Sequence, residues 1–171
     1  MDNGCDRFMV SAVYSGSFDM FTNGHLDIID QAVKIFDRII IVVQNNPMKK
    51  RTYTVESCKE FIEQAIAQSC YDDVVSVDVS DAPASLYAEK HNCEFVIRGL
   101  RNTSDYLYEE KIANFYKAVC PSVDLVYFKS RLHNISSSLV NGLLHSGMKE
   151  SDVEHDYLPA NISILKRCDA E

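Results

Sequence analysis

The sequence predicts an α/β domain in which five parallel strands form a doubly wound sheet. Short apolar segments rich in β-branched residues alternate with longer segments of helical periodicity, as in consecutive βαβ units. The 171 residues are 46% hydrophobic and 25% charged, which is typical of a globular domain. No repeat, low-complexity tract or linker is visible, so we expect one domain over residues 1–171 with tails at about 1–7 and 168–171.

The first half of the chain predicts two strands and two helices. Residues Phe8 to Tyr14 form an apolar run typical of a strand, and a loop with two glycines follows it. Apolar residues then recur at helical spacing from His25 to Phe36. The β-branched run from Arg38 to Gln44 predicts a buried strand. Thr54 suits the N-cap of a helix over Val55 to Gln68.

The middle of the chain repeats the same alternation. Strands are predicted at Val74 to Val79 and at Phe95 to Arg98, with a short helix between them over Ser85 to Asn92. Ser104 or Asp105 is expected to cap a further helix that runs through Tyr116.

The last part of the chain predicts a fifth strand at Leu125 to Phe128. Two short helices follow, one over Ser137 to His145 and one that begins near Pro159. Ligands of doubly wound sheets bind beyond the carboxyl ends of the strands. Functional residues are therefore expected in the segments that follow the strands, at about 15–25, 45–50, 80–84, 98–101 and 129–138.

Charge and cysteine usage exclude several classes of protein. Acidic side chains outnumber basic ones 25 to 17, and the net charge of −8 argues against a general nucleic-acid binder. No apolar run approaches the roughly 18 residues of a membrane span, and Met1 to Arg7 does not resemble a signal peptide. The six scattered cysteines include no Cys-x-x-Cys pair, which favours reduced thiols in a cytoplasmic protein.

The loop after the first strand carries the first candidate site. Gly16 allows close approach to the backbone, Ser17 offers a hydroxyl, and Gly24 and His25 lie at the start of a helix. The first-turn N–H groups and dipole of that helix favour an anion, and His25 can donate to a phosphate oxygen. Taken alone, this pattern is more typical of a glycine loop with a polar cap.

Basic residues follow the second and fourth strands. Lys49 belongs to a run of three cations that by itself suits a solvated turn. Arg98 closes a buried run and requires an anionic partner, either a structural carboxylate or a substrate phosphate. Gly99 again permits close approach, and Arg101 can converge with Arg98 on one polyanion.

The serines after the fifth strand form the last candidate site. Ser136, Ser137 and Ser138 stand where a helix begins, so their hydroxyls and the helix N-terminus could bind phosphate. An N-cap with redundant serines explains the triplet about as well. All of these loops fall on the expected ligand edge, and together they favour phosphoryl or nucleotidyl transfer over covalent catalysis.

In this order, the motifs resemble those of the bacterial phosphopantetheine adenylyltransferases. That family belongs to the nucleotidyltransferase superfamily, whose His-x-Gly-His element corresponds to Thr-Asn-Gly-His here. The resemblance extends over almost the whole chain. It rests on Ser-Gly-Ser-Phe-Asp (15–19), Thr-Asn-Gly-His (22–25), Lys49 after a proline, Ile-Arg-Gly-Leu-Arg (97–101), Asp105 to Glu109 and Ile-Ser-Ser-Ser-Leu-Val (135–140).

The resemblance implies a Rossmann-like fold and the transfer of the adenylyl group of ATP to 4′-phosphopantetheine. The products would be dephospho-coenzyme A and pyrophosphate. It also implies Mg²⁺ as cofactor and a homohexamer, with no nucleic-acid or membrane partner. His25 would stabilise the transition state. Substrate-binding residues would be Ser17, Lys49, Ala84 and Arg98. ATP-binding residues would be Ser17, Phe18, His25, Gly99, Leu100, Arg101, Glu109, Leu132, His133, Asn134, Ile135, Ser136, Ser137 and Ser138.

Two alternatives stay open at this point. The chain could be another member of the superfamily that uses nicotinamide mononucleotide or a sugar- or glycerol-phosphate acceptor. Thr22 in place of the first histidine and the Ile-Arg-Gly-Leu-Arg segment argue against that reading. A nucleotide-binding regulatory module without catalysis is the other alternative, and the joint presence of His25, Lys49, Arg98 and Arg101 argues against it.

Overall fold

The computed structural model describes residues 9–45 and 50–160, and within them it confirms the predicted doubly wound sheet. All strand pairs are parallel, and the spatial order of the strands is β3-β2-β1-β4-β5. The strands are β1 (Ser11–Gly16), β2 (Arg38–Gln44), β3 (Val75–Ser80), β4 (Phe95–Leu100) and β5 (Asp124–Lys129). The helices are α1 (Asn23–Ala32), α2 (Val55–Ala67), α3 (Ala84–Lys90), α4 (Thr103–Val119), α5 (Ser137–His145) and α6 (Glu150–Tyr157).

The strand order reverses between β1 and β4. β1 pairs with β2 on one side, from Ser11 opposite Arg38, and with β4 on the other, from Ala12 opposite Phe95. The connections after the two central strands leave in opposite directions, which opens a crevice at their carboxyl ends. The sequence-predicted ligand edge and this crevice coincide.

Helices cover both faces of the sheet, as its apolar strands require. One core contains Ala12 and Tyr14 of β1, packed against α1, α2, α5 and α6. The other contains Val13 of β1, packed against α3 and α4. Successive side chains of a strand point to opposite faces, so β1 is apolar at consecutive positions because both of its faces are buried.

Local signals explain most of the boundaries. Thr54 caps α2 as predicted, because its side chain accepts a hydrogen bond from the Ser57 N–H at 3.1 Å. The predicted cap of α4 at Ser104 or Asp105 is wrong. Asn102 caps that helix instead, since its side chain accepts from the Asp105 N–H at 2.9 Å.

The end of the chain departs from the prediction. The helix expected to begin near Pro159 falls mostly outside the described residues, and so does Phe8 at the start of the first strand. A short helix that the pattern did not indicate, α6, precedes Pro159. Its sequence is strongly polar, and Val153 is its buried residue, so it shows almost no apolar periodicity.

Two further features of the described residues bear on the expected class of protein. None of their helices combines the length and apolar character needed to cross a bilayer. Cys58, Cys70, Cys93 and Cys120 carry thiols rather than disulfides, while Cys5 and Cys168 lie outside the described residues.

Candidate active site

A polar cleft of about 280 Å³ opens at the carboxyl ends of β1 and β4. Its walls come from the loop after β1, the first turn of α1, the end of β4, one residue of α4, and the loop that leads into α5. Most of the predicted site residues line it: Ser17, Phe18, His25, Arg98, Gly99, Arg101, Glu109, Ile135, Ser136, Ser137 and Ser138.

The loop after β1 is held in place by the segment before α2. The Asp19 carboxylate accepts hydrogen bonds from the backbone N–H groups of Thr52 and Tyr53 at 2.9 to 3.0 Å. In return, the Arg51 guanidinium donates to the Ser17 carbonyl at 2.8 Å. Phe18 adopts a φ of +43°, a left-handed conformation that a non-glycine residue keeps only when its surroundings enforce it.

His25 is oriented by Thr22 and by two aromatic rings. The Thr22 backbone N–H donates to Nδ1 of His25 at 3.0 Å. Phe21 stacks on the imidazole with ring centroids 5.5 Å apart, and Phe18 meets it edge-on at 5.2 Å. Because Nδ1 accepts a hydrogen bond, the proton of the neutral ring lies on Nε2.

Burial, and secondarily the charge of Arg101, lowers the pKa of His25 from 6.5 to about 4. The ring is therefore neutral near pH 7. It can donate one hydrogen bond from Nε2 without adding a full charge to the cleft.

The loop that precedes α5 crosses the first turn of α1. A Cβ atom at Gly24 would lie 2.8 Å from the carbonyl oxygen of Ile135, so only glycine fits beneath that loop. The contact brings the N-termini of α1 and α5 to one cleft, and helix N-termini attract anions.

Two of the three serines at the start of α5 have hydrogen-bond partners in the structure. Ser136 is the N-cap, and its side chain accepts from the Leu139 N–H at 3.2 Å. The Ser137 hydroxyl donates to the Met20 carbonyl at 2.7 Å. Both the capping and the phosphate-binding interpretations are therefore compatible with this structure, since all three serines also line the cleft.

Arg98 has the anionic partner that its burial requires, and the partner is Glu109. Nε and Nη2 of Arg98 each donate to a different Glu109 oxygen at 2.7 Å. The two side chains are 16% and 9% exposed. Nη1 of Arg98 lies 3.3 Å from the Ser15 hydroxyl and 3.4 Å from the Ser15 carbonyl. Paired in this way, Arg98 keeps its planar group at the cleft wall.

Arg101 is held less tightly. Its backbone N–H and its Nε both donate to one oxygen of Asp105, at 3.0 and 3.2 Å. The side chain is 41% exposed and reaches the cleft. Its terminal nitrogens are thus available for a polyanionic ligand.

Some predicted residues are not brought to the cleft wall. Ala84 is fully buried at the start of α3. Leu100 and the segment 132–134 lie beside the cleft without lining it. Lys49 lies outside the described residues.

Sequence reasoning missed the carboxylate that fixes the loop after β5. Asp27 of α1 is 5% exposed and accepts a hydrogen bond from the Arg131 backbone N–H at 2.7 Å. It also pairs with the Arg131 guanidinium and contacts the Ser130 hydroxyl at 3.4 Å. Its place between apolar residues of an amphipathic helix was the one available signal of a buried acid.

The donor set for a metal ion is sparse. Among the described residues no three His, Cys, Asp or Glu side chains are grouped so that they could hold a metal. Glu109, the carboxylate among the residues that line the cleft, is already engaged with Arg98, and Asp19 in the loop after β1 is engaged with backbone N–H groups. A cation in this cleft would therefore depend on ligand phosphates and water for most of its coordination.

Comparison with known proteins identifies the chain as a nucleotidyltransferase. The model of the cytidylyltransferase-like family matches residues 13–142, and the chain belongs to that family. Solved structures agree on the fold. A protein from Vibrio parahaemolyticus described as a putative nicotinate-nucleotide adenylyltransferase superimposes with a TM-score of 0.64 at 11% identity, covering 88% of this chain and 87% of that one. The nicotinic acid mononucleotide adenylyltransferase of Plasmodium falciparum gives 0.61 at 16% identity, covering 89% and 91%.

Curated relatives narrow the assignment. A phosphopantetheine adenylyltransferase of Clostridium kluyveri is 36% identical over 166 residues, covering 94% of this chain and 96% of the relative. One from Haemophilus influenzae is 35% identical over 142 residues, covering 81% and 89%. The chain belongs to the phosphopantetheine adenylyltransferase family.

Proposed function

We propose that the cleft between β1 and β4 transfers the adenylyl group of ATP to 4′-phosphopantetheine, giving dephospho-coenzyme A and pyrophosphate. The observation that carries the proposal is the placement of His25. Its neutral ring is fixed by Thr22, Phe18 and Phe21 at the point where two helix N-termini and two arginines meet. This is an arrangement for stabilising charge on phosphates rather than for forming a covalent intermediate.

The phosphates of ATP would lie against the N-termini of α1 and α5. The first turns of both helices line one space together with Ser17 and Ser138, whose hydroxyls could donate to a phosphate there. Arg101 would supply the charge that these neutral donors lack.

His25 would act in the transition state. The phosphate oxygen of 4′-phosphopantetheine attacks the α-phosphorus of ATP, a new P–O bond forms, and the bond to the β-phosphate bridging oxygen breaks to release pyrophosphate. Negative charge grows on the oxygens around the α-phosphorus, and the N–H at Nε2 of His25 is oriented to donate to one of them. No proton needs to leave the ring, which suits its lowered pKa.

Arg98 would hold the phosphate of 4′-phosphopantetheine, a role that the family resemblance also implies for Lys49, which lies outside the described residues. Glu109 keeps the guanidinium planar against the cleft wall and leaves Nη1 directed toward Ser15. In this proposal Glu109 positions Arg98 for the acceptor and also faces the nucleotide.

We assign Mg²⁺ to the substrate phosphates. The engagement of Glu109 with Arg98 fits such a role, because the protein would contribute few or no direct ligands. When bound, the ion would neutralise charge on the pyrophosphate leaving group.

We also propose a cytoplasmic homohexamer. Tyr108, Phe115 and Val119 of α4 recur at helical spacing and are 62%, 53% and 40% exposed, which is unusual for large apolar side chains on one helix. The thiols of the described cysteines suit a reducing compartment. Light scattering coupled to gel filtration should give six times the 19.4 kDa mass of the chain, and a monomer would contradict this assignment.

Pyrophosphate release tests the reaction. With ATP and Mg²⁺ we expect release that depends on 4′-phosphopantetheine, accompanied by dephospho-coenzyme A in chromatography. Nicotinamide mononucleotide and glycerol phosphate serve as alternative acceptors in the same assay. A folded preparation that is active with one of those and not with 4′-phosphopantetheine would contradict the proposal. ATP binding without turnover on any acceptor would favour a regulatory module.

A further inference from the structure

Tyr14 lines the cleft but is not one of the site residues predicted from sequence. It lies in β1 two residues before the strand ends, and its side chain points to the α1 face of the sheet. The residue is 5% exposed, and Phe18 packs edge-on against its ring at 5.3 Å. The ring is thus fixed in position by the core on one side and by the loop after β1 on the other.

The phenol oxygen ends at the floor of the cleft. It lies 3.7 Å from the point that a Cβ of Gly99 would occupy, next to Ile28. None of the described residues forms a hydrogen bond with it, although the positive charges of Arg98 and Arg101 are near. A polar group this deeply placed ordinarily has a hydrogen-bond partner. Its exposed edge belongs to the cleft, so a ligand is the partner that the geometry allows.

The hydroxyl is suited to a neutral partner. Burial raises the pKa of Tyr14 far above its ordinary value, so the group stays protonated and can both donate and accept. Ile28 and Gly99 border the same part of the cleft, and neither has a side chain that hydrogen-bonds to the hydroxyl. The helix N-termini and serine hydroxyls that suit phosphate line the same cleft.

A nucleotide with its phosphates on those helix N-termini would extend its sugar toward the end of β4, where Gly99 and Tyr14 both line the cleft. We propose that Tyr14 hydrogen-bonds a ribose hydroxyl of the bound ATP and thereby positions the α-phosphate near His25. This inference rests on the proposed function of the cleft.

Calorimetry of nucleotide binding tests the proposal with two variants and three ligands. Tyr14→Phe keeps the packing against Phe18 and removes the hydroxyl. Tyr71→Phe is the matched control, because its hydroxyl donates to Asp30 at 2.7 Å away from the cleft. The ligands are ATP, 2′-deoxy-ATP and 3′-deoxy-ATP. We expect Tyr14→Phe to weaken ATP binding about 3- to 10-fold, as the loss of one hydrogen bond implies, and Tyr71→Phe to leave it unchanged.

The deoxynucleotides identify the partner. Wild type and Tyr14→Phe should have equal affinity for the analogue that lacks the contacted hydroxyl. For the other analogue, the affinity of Tyr14→Phe should still be lower than that of wild type. Equal weakening for all three ligands, or none for ATP, would overturn the assignment. If Tyr14→Phe does not fold, the wild-type affinities still test the proposal, because equal affinity of the wild type for all three nucleotides would overturn it. Pyrophosphate release by the wild type is measured separately, so a failure of the proposed reaction is told apart from a failure of this contact.

Discussion

Removal of the Glu109 charge is the perturbation whose effect the structure defines most sharply. In Glu109→Gln the side chain keeps its shape, but one of its two terminal atoms becomes an NH₂ group. The pair with Arg98 consists of two hydrogen bonds of 2.7 Å, and the amide can accept only one of them. The other guanidinium N–H then faces a donor, and the Arg98 charge has lost its counter-charge.

The magnitude follows from burial. Breaking a fully buried ion pair by removal of one partner costs about 3–5 kcal/mol. The Arg98 side chain is 16% exposed and borders a cleft that water can enter, so the loss should be smaller than for a fully buried pair. We expect the free energy of unfolding to fall by about 2–3 kcal/mol, which for a chain of this length lowers Tm by roughly 4–12 °C.

Denaturant and thermal unfolding measure this loss, with Glu110→Gln as the control. Glu110 is the next residue on α4 and is exposed, so its variant should stay within about 0.5 kcal/mol of wild type. Addition of 4′-phosphopantetheine should raise the Tm of Glu109→Gln more than that of wild type, because its phosphate gives Arg98 a new counter-charge. Equal stability of Glu109→Gln and Glu110→Gln would refute the reasoning.

Three further predictions concern the helix N-termini. His25→Ala should lower kcat by about 10²–10³-fold while calorimetry shows ATP affinity changed only a few-fold; equal losses in both would contradict a transition-state role. The pKa of His25 is lowered from 6.5 to about 4, so below pH 6.5 the unfolded chain binds a proton that the native state does not. The contribution of His25 to the free energy of unfolding is therefore fully present above pH 6.5 and decreases as the pH falls toward 4. Between pH 7 and 5, wild type should lose about 2 kcal/mol more than His25→Gln in denaturant unfolding, and parallel losses would show that His25 does not titrate in this way. Gly24→Ala should lower the free energy of unfolding by about 1–3 kcal/mol and raise KM for ATP, because its Cβ would meet the Ile135 carbonyl. The control Gly142→Ala, with no atom within 4 Å of its Cβ, should leave the free energy of unfolding unchanged or raise it, and similar effects of the two variants would exclude the Ile135 contact as the cause.

Strand and helix types could be predicted from sequence wherever one local cause was sufficient. The β-branched run of β2 and the periodicity of α5 gave their bounds directly, Arg38–Gln44 and Ser137–His145. The first residue of α4 could not be predicted from sequence, because four adjacent residues can all cap a helix: Asn102, Thr103, Ser104 and Asp105. Helix α6 has too few apolar residues for any periodicity to appear.

The candidate site divides in the same way. Sequence reasoning placed the functional loops at the carboxyl ends of the strands and required a counter-charge for Arg98, because both follow from strand order and burial cost. It could not choose the partner. Glu109 faces Arg98 only because α4 packs beside β4, and the spacing in the sequence carries no sign of that approach. Arg51 likewise appeared as part of a basic run, whereas it donates to the carbonyls of Ser17, Gln44 and Tyr53.

The sequence by itself determined the kind of elements, their order and the edge at which ligands bind, since these depend on local periodicity and on the rules for parallel sheets. Tertiary structure decided which residues meet: the Ile135 carbonyl above Gly24, Asp27 with Arg131, and the Tyr14 hydroxyl beside Gly99. Such contacts join residues far apart in the chain, and their distances depend on how helices pack across the sheet. A pattern read along the chain contains no measure of those distances.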